Sequence, residues 1–334
     1  MASPASAGGS SSSSSPQDLI NTQPEQLAET IRRSVATARA AGSLFSIDAR
    51  SSIHVQEGVQ FIIRVSNALD KKKAEDKRTE EKQSPKDPFM APFEPGMFVG
   101  RLSDTHSAVL NKFNIVENHT LVITRDFVPQ GTPLTLADMT STLQVVDALD
   151  GFGFYNCGPL SGASQPHKHT QVFPRNTPGI GSNVPIEAAL PPRLANEASQ
   201  TVHHIPAFSR AFRHAFVWLT PSKGVSASGT AAHAHNSVQR AQDLHAAYLK
   251  ALDYLEIPAN HPHEPADAAP SYNVLFTAEW LLVVPRAADS HDGIGCNAVG
   301  FTGSLFVRTP EDAAKLEVLT PLGLLAAVGF KTLS

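Results

Sequence analysis

Short apolar runs, separated by polar or glycine-containing turns, recur along most of the chain and predict several β-strands. The runs rich in β-branched and aromatic residues lie at 59–65, 97–102, 107–113, 120–124, 272–276 and 280–285. Thr277, Ala278 and Glu279 separate the last two runs, which are therefore predicted to form a hairpin.

Apolar residues at helical spacing predict amphipathic helices between these strands. Leu27, Ile31 and Val35 share one face of the first predicted helix. Thr22 and Glu25 have the spacing of a capping box at its start. The same periodicity predicts further helices at 135–149, 238–255 and 310–329.

The segment 152–174 combines two aromatic-rich strand patterns with an intervening loop rich in glycine and serine. If the second strand is extended from its first histidine, its side chains alternate between two faces. His167, His169 and Gln171 then share one face, and the two residues between them take the other. Two imidazoles and an amide on one surface make this segment the main candidate site.

This combination of side chains suits attack on phosphorus. A neutral imidazole is nucleophilic near neutral pH without a separate base, and its attack would leave a phosphoramidate on histidine. Backbone N–H groups of the loop can hold phosphate oxygens, and Ser161 and Ser164 add hydroxyl donors. Gln171 can orient the nucleophile or a leaving oxygen without titrating. Two histidines at this spacing are also typical of a metal pair or a solvated strand edge.

Composition narrows the classes of function. The formal net charge of -4 gives no global basic field for nucleic acid, so a phosphate-binding site must gather positive charge locally. No apolar run approaches the roughly 20 residues that span a bilayer, so no membrane partner is expected. Cys157 and Cys296 are too few and too far apart in sequence for a disulfide framework or a zinc site. We therefore predict a reducing compartment, the cytoplasm or alternatively the nucleus.

The thiol of Cys157 stands beside Asn156 in the candidate site. A nucleophilic cysteine is one interpretation of this position. A small buried residue in a tight turn is the interpretation that we favour.

Several of these residues together resemble the ATP adenylyltransferases, also called diadenosine tetraphosphate (Ap4A) phosphorylases. The shared features are Asn156, Gly-Ala-Ser-Gln at 162–165 and His-x-His-x-Gln at 167–171. The resemblance spans about residues 24–330 and continues in the family's order through the blocks at 87–95, 110–113, 272–286 and 297–308. The family is a branch of the histidine-triad superfamily that also contains galactose-1-phosphate uridylyltransferase.

The resemblance implies an α+β fold with a largely antiparallel sheet and flanking helices. The fold is histidine-triad-like, with two related halves of which the second is degenerate. We expect an N-terminal phosphorylase-like domain at 22–180, a linker at 181–204 and a C-terminal adenylyltransferase-like domain at 205–334. The Ser-rich residues 1–21 are predicted to be disordered, and a flexible insert is predicted near 222–237.

By the same resemblance, His169 is the nucleophile that becomes adenylylated, and His167, Gln171 and Ser164 complete the catalytic group. The residues expected to contact substrate are Lys71, Lys72, Asn111, Lys112, Asn156, Gly162, Ala163, Ser164, Gln165, Gln171, Asn297, Ala298, Val299, Ser304 and Arg308. Which of the lysines at 71–73 reaches the substrate is left open by the sequence.

Two of the expected contact residues depart from the family's pattern. Ser304 stands where a bulkier apolar residue is usual, and Arg308 stands where lysine is usual. Arg308 keeps the positive charge. Ser304 changes the shape of the base or ribose pocket, and leaves the chemistry intact.

The implied reaction is the reversible phosphorolysis of Ap4A by inorganic phosphate to ADP and ATP, through an adenylyl-histidine intermediate. The family can also transfer the adenylyl group of adenylyl sulfate to phosphate. The expected ligands are diadenosine polyphosphates, ATP, ADP and phosphate, with a divalent cation such as Mg²⁺ on the polyphosphate. We expect a monomer, no tightly bound cofactor and no protein metal site. The alternatives are a hexose-1-phosphate uridylyltransferase and a non-catalytic dinucleotide-binding sensor.

Overall fold

The computed structural model describes residues 18–47, 49–65, 87–177, 181–194, 200–220, 230–261 and 269–332. Several predictions fall outside these ranges. They concern the substrate contacts of Lys71 and Lys72, the disorder of residues 1–17, and residues 222–229 of the predicted insert.

Five α-helices and a set of mostly short strands make up the described part of the chain. The helices are α1 (Pro24–Ala40), α2 (Leu136–Leu149), α3 (Thr230–Tyr254), α4 (Pro310–Leu319) and α5 (Pro321–Val328). The strands are β1 (Phe45–Ser46), β2 (Arg50–Gln56), β3 (Val59–Val65), β4 (Phe98–Arg101), β5 (His106–Leu110), β6 (Phe113–Asn114), β7 (Thr120–Thr124), β8 (Gly151–Cys157), β9 (His169–Pro174), β10 (Asn176–Thr177), β11 (Gly181–Ser182), β12 (Val202–His203), β13 (Ala215–Trp218), β14 (Tyr272–Phe276), β15 (Trp280–Pro285), β16 (Ser290–His291), β17 (Ile294–Gly295) and β18 (Ser304–Val307). Short 3₁₀ turns lie at Pro159–Ser161, Pro185–Ala189 and Ala298–Thr302.

An antiparallel sheet of nine strands forms the centre of the described structure, in the order β12-β13-β15-β14-β8-β9-β7-β5-β4. Helices α2 and α3 pack against one of its faces, where Val146 and Leu252 join the same apolar core as Tyr155 and Val274. The predicted α+β fold with a largely antiparallel sheet and flanking helices is confirmed. The predicted strands and the hairpin of β14 and β15 are present as well.

The two predicted domains share this one sheet. Strand β8 of the N-terminal part pairs with β14 of the C-terminal part, with Tyr155 opposite Val274. A second connection joins β18 near the C-terminus to β3 near the N-terminus, with Leu305 opposite Ile63. The sheet and the apolar core therefore both cross the predicted division between the domains.

The start of α1 differs from the predicted capping box at Thr22. Gln23 is the N-cap and makes no side-chain capping bond, while Pro24 occupies the first turn. Proline is favoured there because it lacks an N–H group and has a preset φ angle. A true capping box is found at α2, where Thr135 accepts from the Asp138 N–H group at 3.2 Å and the Asp138 carboxylate accepts from the Thr135 N–H group at 2.6 Å.

Three segments are more ordered than the sequence predicted. Leu19, within the predicted disordered terminus, is buried and donates its N–H group to the Arg101 carbonyl at 2.8 Å. Val184 and Ile186, within the predicted irregular linker, belong to the apolar core. Helix α3 begins at Thr230, inside the predicted flexible insert. Composition gave low-complexity or proline-rich signals there. At Leu19, Val184 and Ile186, burial of the apolar side chain against the core fixes the chain.

No helix in the described ranges combines the length and the apolar character needed to cross a membrane.

Candidate active site

A cleft of about 700 Å³ lies over one end of β9. Its walls come from the loop after β8, from β18 and its preceding turn, and from residues 87–95, which we call the strap. The predicted site residues that line it are Asn111, Lys112, Gly162, Ala163, Ser164, Gln165, His169, Gln171, Asn297, Val299, Ser304 and Arg308. His167, Asn156 and Ala298 are buried and do not line the cleft.

His169 is held in one orientation at the floor of the cleft. Its Nδ1 lies 2.8 Å from the carbonyl oxygen of His167. A carbonyl can only accept, so Nδ1 is the protonated nitrogen and Nε2 of the neutral ring carries the lone pair. The His169 N–H group donates to Gln130 Oε1 at 2.8 Å, and Gln130 Nε2 donates to the carbonyl of Asn156 at 2.8 Å. Gln130 thus bridges β8 and β9 at the point where the two strands separate.

His167 has a different hydrogen-bonding environment. Its Nδ1 lies 2.7 Å from the Asp87 carboxylate, and its Nε2 lies 2.9 Å from the carbonyl of Thr124. The Thr124 hydroxyl, also 2.9 Å from Nε2, lies 2.8 Å from the carbonyl of Asp126, to which it can donate. Both ring nitrogens of His167 therefore have hydrogen-bond partners inside the protein, and the ring is buried and does not line the cleft. His169, by contrast, lines the cleft, so the geometry distinguishes the two histidines.

Gln171 has its amide group oriented by His119. The Oε1 atom of Gln171 lies 2.9 Å from Nε2 of His119, and the His119 ring packs edge-on against Phe173. Since Oε1 accepts from the ring, the amide NH₂ group of Gln171 is the part available to donate to a substrate oxygen. His119 was not among the predicted site residues, although it also lines the cleft.

The loop at 162–165 presents backbone donors beside His169. Within the described residues, the N–H groups of Ala163, Ser164 and Gln165 are not seen to donate to another protein group. Gly162 has a φ of +81°, and a Cβ atom there would lie 2.8 Å from the Cys296 carbonyl oxygen. Only glycine therefore fits this turn, which brings the loop against the segment that follows Cys296.

The opposite face of β9 is anchored to α2, as the alternation predicted. Lys168 Nζ donates to the Asp138 carboxylate at 2.7 Å, and the hydroxyls of Thr170 and Thr142 are 2.6 Å apart. Burial raises the pKa of Asp138, but hydrogen bonds from His106 and Lys168 outweigh it and hold the pKa below its usual range. This buried ionic cluster fixes the strand that carries His169.

The far wall of the cleft supplies positive charge. Lys112 Nζ pairs with Glu94 at 2.9 Å. Arg308 donates to the Gly293 carbonyl at 2.8 Å and lies 3.5 Å from Asp312. Phosphate groups would compete with these partners for the two cations.

Three other predicted contact residues use their side chains inside the protein. Asn111 Nδ2 donates to the Phe113 carbonyl at 2.8 Å. Asn297 accepts from the Val299 N–H group at 3.1 Å and so caps a 3₁₀ turn. The Ser304 hydroxyl donates to the Asn183 carbonyl at 3.1 Å. A methionine-sized side chain in place of Ser304 would have to displace this packed polar contact.

Asn156 belongs to a buried network that joins the two halves behind the cleft. Its Oδ1 accepts from Asn273 Nδ2 at 2.8 Å and from the Ala298 N–H group at 3.0 Å. Asn273 in turn contacts Arg286, whose guanidinium is almost fully buried. The partners of the Arg286 guanidinium are the carbonyl oxygens of Ser161, Ala288, Cys296 and Val328 and Oδ1 of Asn273. The five N–H groups of this side chain are therefore matched by five oxygens.

In the described part of the chain, no group of three or more His, Cys, Asp or Glu side chains is arranged to hold a metal ion.

Two family models cover most of the chain. The model described as the Ap4A phosphorylase N-terminal domain matches residues 17–192, and that of the ATP adenylyltransferase C-terminal domain matches residues 209–331. The chain belongs to the Ap4A phosphorylase / ATP adenylyltransferase family. The resemblance inferred from the sequence motifs is confirmed.

Relatives of this family in Saccharomyces cerevisiae align over long stretches. Diadenosine 5',5'''-P1,P4-tetraphosphate phosphorylase 2 is 28% identical over 325 residues, covering 89% of this chain and 90% of its own. Protein APA1 is 26% identical over 236 residues, covering 66% of each chain.

Solved structures of this family share the fold. The crystal structure of yeast Ap4A phosphorylase Apa2 matches with a TM-score of 0.71 at 22% identity, covering 93% of this chain and 99% of that one. The same yeast protein in complex with Ap4A matches with a TM-score of 0.65 at 24% identity, covering 93% and 99%. These matches confirm the fold of this Ap4A phosphorylase family member.

Several residues of the candidate site were not predicted from the sequence. They include Gln130, His119 and Arg286, which are far in sequence from the motif at 167–171 and approach it only through strand pairing. Asp87 was inside a recognised block, but its contact with His167 carries no local signal. The strap was recognised as one of the blocks that carry the family resemblance, and the structure shows that its Phe89 contacts His169.

Alkylation with iodoacetamide at mildly alkaline pH is expected to leave both cysteines of the folded protein unmodified. Burial raises the pKa of Cys157 to about 12 and that of Cys296 to about 11, so little reactive thiolate forms. Intact mass spectrometry measures the modification, and the urea-unfolded protein, which should gain both carbamidomethyl groups, is the control. Rapid alkylation of folded protein with loss of activity would revive the alternative of a nucleophilic Cys157.

Proposed function

We propose that this chain phosphorolyses Ap4A with inorganic phosphate to ADP and ATP, reversibly, through an adenylyl group on His169. The observation that carries the proposal is the Nδ1 contact of His169 with the His167 carbonyl, which assigns the lone pair to Nε2. Family membership supports the reaction class. The yeast relative of 28% identity is named for phosphorolysis of diadenosine tetraphosphate.

In the first step, Nε2 of His169 attacks the α-phosphorus of Ap4A. A P–N bond forms, the bond from that phosphorus to the bridging oxygen breaks, and ATP leaves with the electron pair. A polyphosphate is a stable anion and needs no proton on departure. This agrees with Gln171, which does not titrate, at the third position of the motif. The Nδ1–H group shares the positive charge of the adenylylated ring with the His167 carbonyl.

Charge on the phosphoryl oxygens is stabilised by donors already in place. These are the N–H groups of 162–165, the Ser164 hydroxyl and the amide NH₂ group of Gln171. Lys112 and Arg308 supply positive charge from the far wall, and Lys71 and Lys72 are proposed to add to it. Preorganised donors of this kind usually give the largest catalytic contribution.

In the second step, an oxygen of inorganic phosphate attacks the adenylyl phosphorus. The P–N bond breaks, His169 recovers its lone pair, and ADP is released. Adenylyl sulfate is proposed as a second donor, with sulfate as its leaving group. We further propose that Mg²⁺ accompanies the polyphosphate and that the protein acts as a monomer. The proposed compartment is the cytoplasm or the nucleus, because both buried cysteines are free thiols.

The test is intact-protein mass after rapid mixing with Ap4A in phosphate-free buffer. The expected result is a gain of one adenylyl group, which added phosphate discharges as ADP. Tight binding of Ap4A with no adduct at any sampled time would contradict the covalent mechanism. Binding without any phosphate-dependent product would favour a sensor.

A further inference from the structure

The ring of Phe89 covers His169. The two ring centroids are 4.9 Å apart, and Phe89 lies 5.7 Å from His167 by the same measure. Phe89 is buried, yet it also lines the cleft together with Pro88. An apolar surface therefore adjoins the nucleophilic imidazole at the place where the adenylyl group would be held.

The strap that carries Phe89 is fixed at both ends. The Asp87 carboxylate accepts from His167 at 2.7 Å and from the Phe89 N–H group at 2.8 Å. Near the other end, Glu94 pairs with Lys112 at 2.9 Å. Between them, the side chain of Phe89 joins a small apolar cluster of the main sheet formed by Val109, Leu121 and Ile123. These contacts hold the ring in place over His169.

An adenylyl-histidine can be discharged by either of two nucleophiles. Phosphate attack forms a P–O bond, breaks the P–N bond, returns the electron pair to the imidazole and yields ADP. Water attack breaks the same P–N bond, releases a proton to solvent and yields AMP. A water molecule in line with the P–N bond needs hydrogen-bond partners, and a phenyl ring offers none. Excluding water from a reactive intermediate is a recognised way to prevent this side reaction.

We propose that Phe89 is a specificity-determining residue. It keeps water away from the adenylylated His169, so that the adenylyl group passes to phosphate. The inference rests on the proposed function and deepens it, because it concerns the choice of acceptor. Phosphate and water must both approach in line with the P–N bond, but only phosphate carries charges that Lys112, Arg308 and the 162–165 amides can hold there.

The experiment compares full-length wild type with Phe89→Ala and Phe89→Val. The AMP:ADP product ratio is measured by chromatography at a fixed phosphate concentration, in water enriched in ¹⁸O so that hydrolytic AMP is recognised by its label. The ratio reports only on active molecules, so partial unfolding of a variant does not change it. We expect the AMP:ADP ratio to rise by about tenfold in Phe89→Ala and by less in Phe89→Val.

Phe93→Ala is the matched control. Phe93 lies on the same strap and packs against Phe98, 5.1 Å away between ring centroids, so its removal should leave the ratio as in wild type. An unchanged ratio in both Phe89 variants would overturn the inference while the proposed function stands. A wild type that makes no ADP from Ap4A and phosphate would instead overturn the proposed function, and this inference with it.

Discussion

Replacement of His169 by glycine is expected to abolish the adenylyl adduct and to slow Ap4A phosphorolysis by about 10⁴-fold or more. The reason is that Nε2 of this ring forms the covalent bond in the proposed mechanism. His167 cannot replace it, because its ring is buried, does not line the cleft and has hydrogen-bond partners at both nitrogens. The measurement is steady-state ADP formation together with intact mass after mixing with Ap4A.

Adenylyl-imidazole provides a sharper measurement on the same variant. Loss of the side chain leaves space for a free imidazole, so ADP formation from phosphate and adenylyl-imidazole should be restored. His54→Ala is the control, since His54 lies on β2 away from the cleft lining and should behave as wild type. A folded His169→Gly protein that still gains an adenylyl group would show that another residue is the nucleophile.

Replacement of Arg286 by methionine is expected to lower the free energy of unfolding by about 3–5 kcal/mol. Methionine has a similar length but none of the N–H donors, so the carbonyls of Ser161, Ala288, Cys296 and Val328 lose a buried partner. Unsatisfied buried acceptors are costly because no water reaches them. Urea unfolding measures the loss.

The same change is expected to weaken substrate binding. Ser161 immediately precedes Gly162, so the loop whose amides are proposed to hold the phosphates loses its support. We therefore expect KM to rise in Arg286→Met at temperatures where the protein remains folded. Arg286→Lys should recover part of the stability only, because an ammonium cannot span the same five oxygens.

Arg32→Met is the matched control for the stability measurement. Arg32 forms an exposed pair with Glu29 on α1 at 3.1 Å, and such pairs contribute about 0–1 kcal/mol. A loss in Arg286→Met no larger than in Arg32→Met would contradict the structural role assigned to the buried guanidinium.

Local sequence patterns were sufficient to predict the structural features that depend on residues close together in sequence. The period of two correctly placed Lys168 and Thr170 on the face opposite His169 and Gln171. The structure adds that α2 packs on the first face and that the cleft lies on the second. The period of α1 correctly buried Leu27, Ile31 and Val35. Local sequence signals gave the wrong helix start where two of them competed. Thr22 indicated a capping box, but Pro24 in the first turn sets the start of α1.

The second half contributes to the site in a way that the motif did not indicate. The resemblance predicted a degenerate histidine-triad unit there, and this stays a prediction. This half supplies Asn273 and Arg286, which contact the carbonyl of Ser161 behind the loop at 162–165. Its residues therefore support the candidate site.

The sequence by itself determined the fold class, the family, the motif and the identity of the candidate nucleophile, because these depend on residue types at short fixed spacings. The tertiary structure decided which nitrogen of His169 carries the lone pair and what orients Gln171, and it placed Arg286 behind the loop. The first depends on the side-chain orientation that His169 adopts in the fold, although its partner is only two residues away. The other two depend on partners distant in sequence that strand register brings close, as when Leu121 pairs with Gln171 and thereby brings His119 to the cleft. Register is a property of the whole sheet and its core, so no local stretch of sequence contains it.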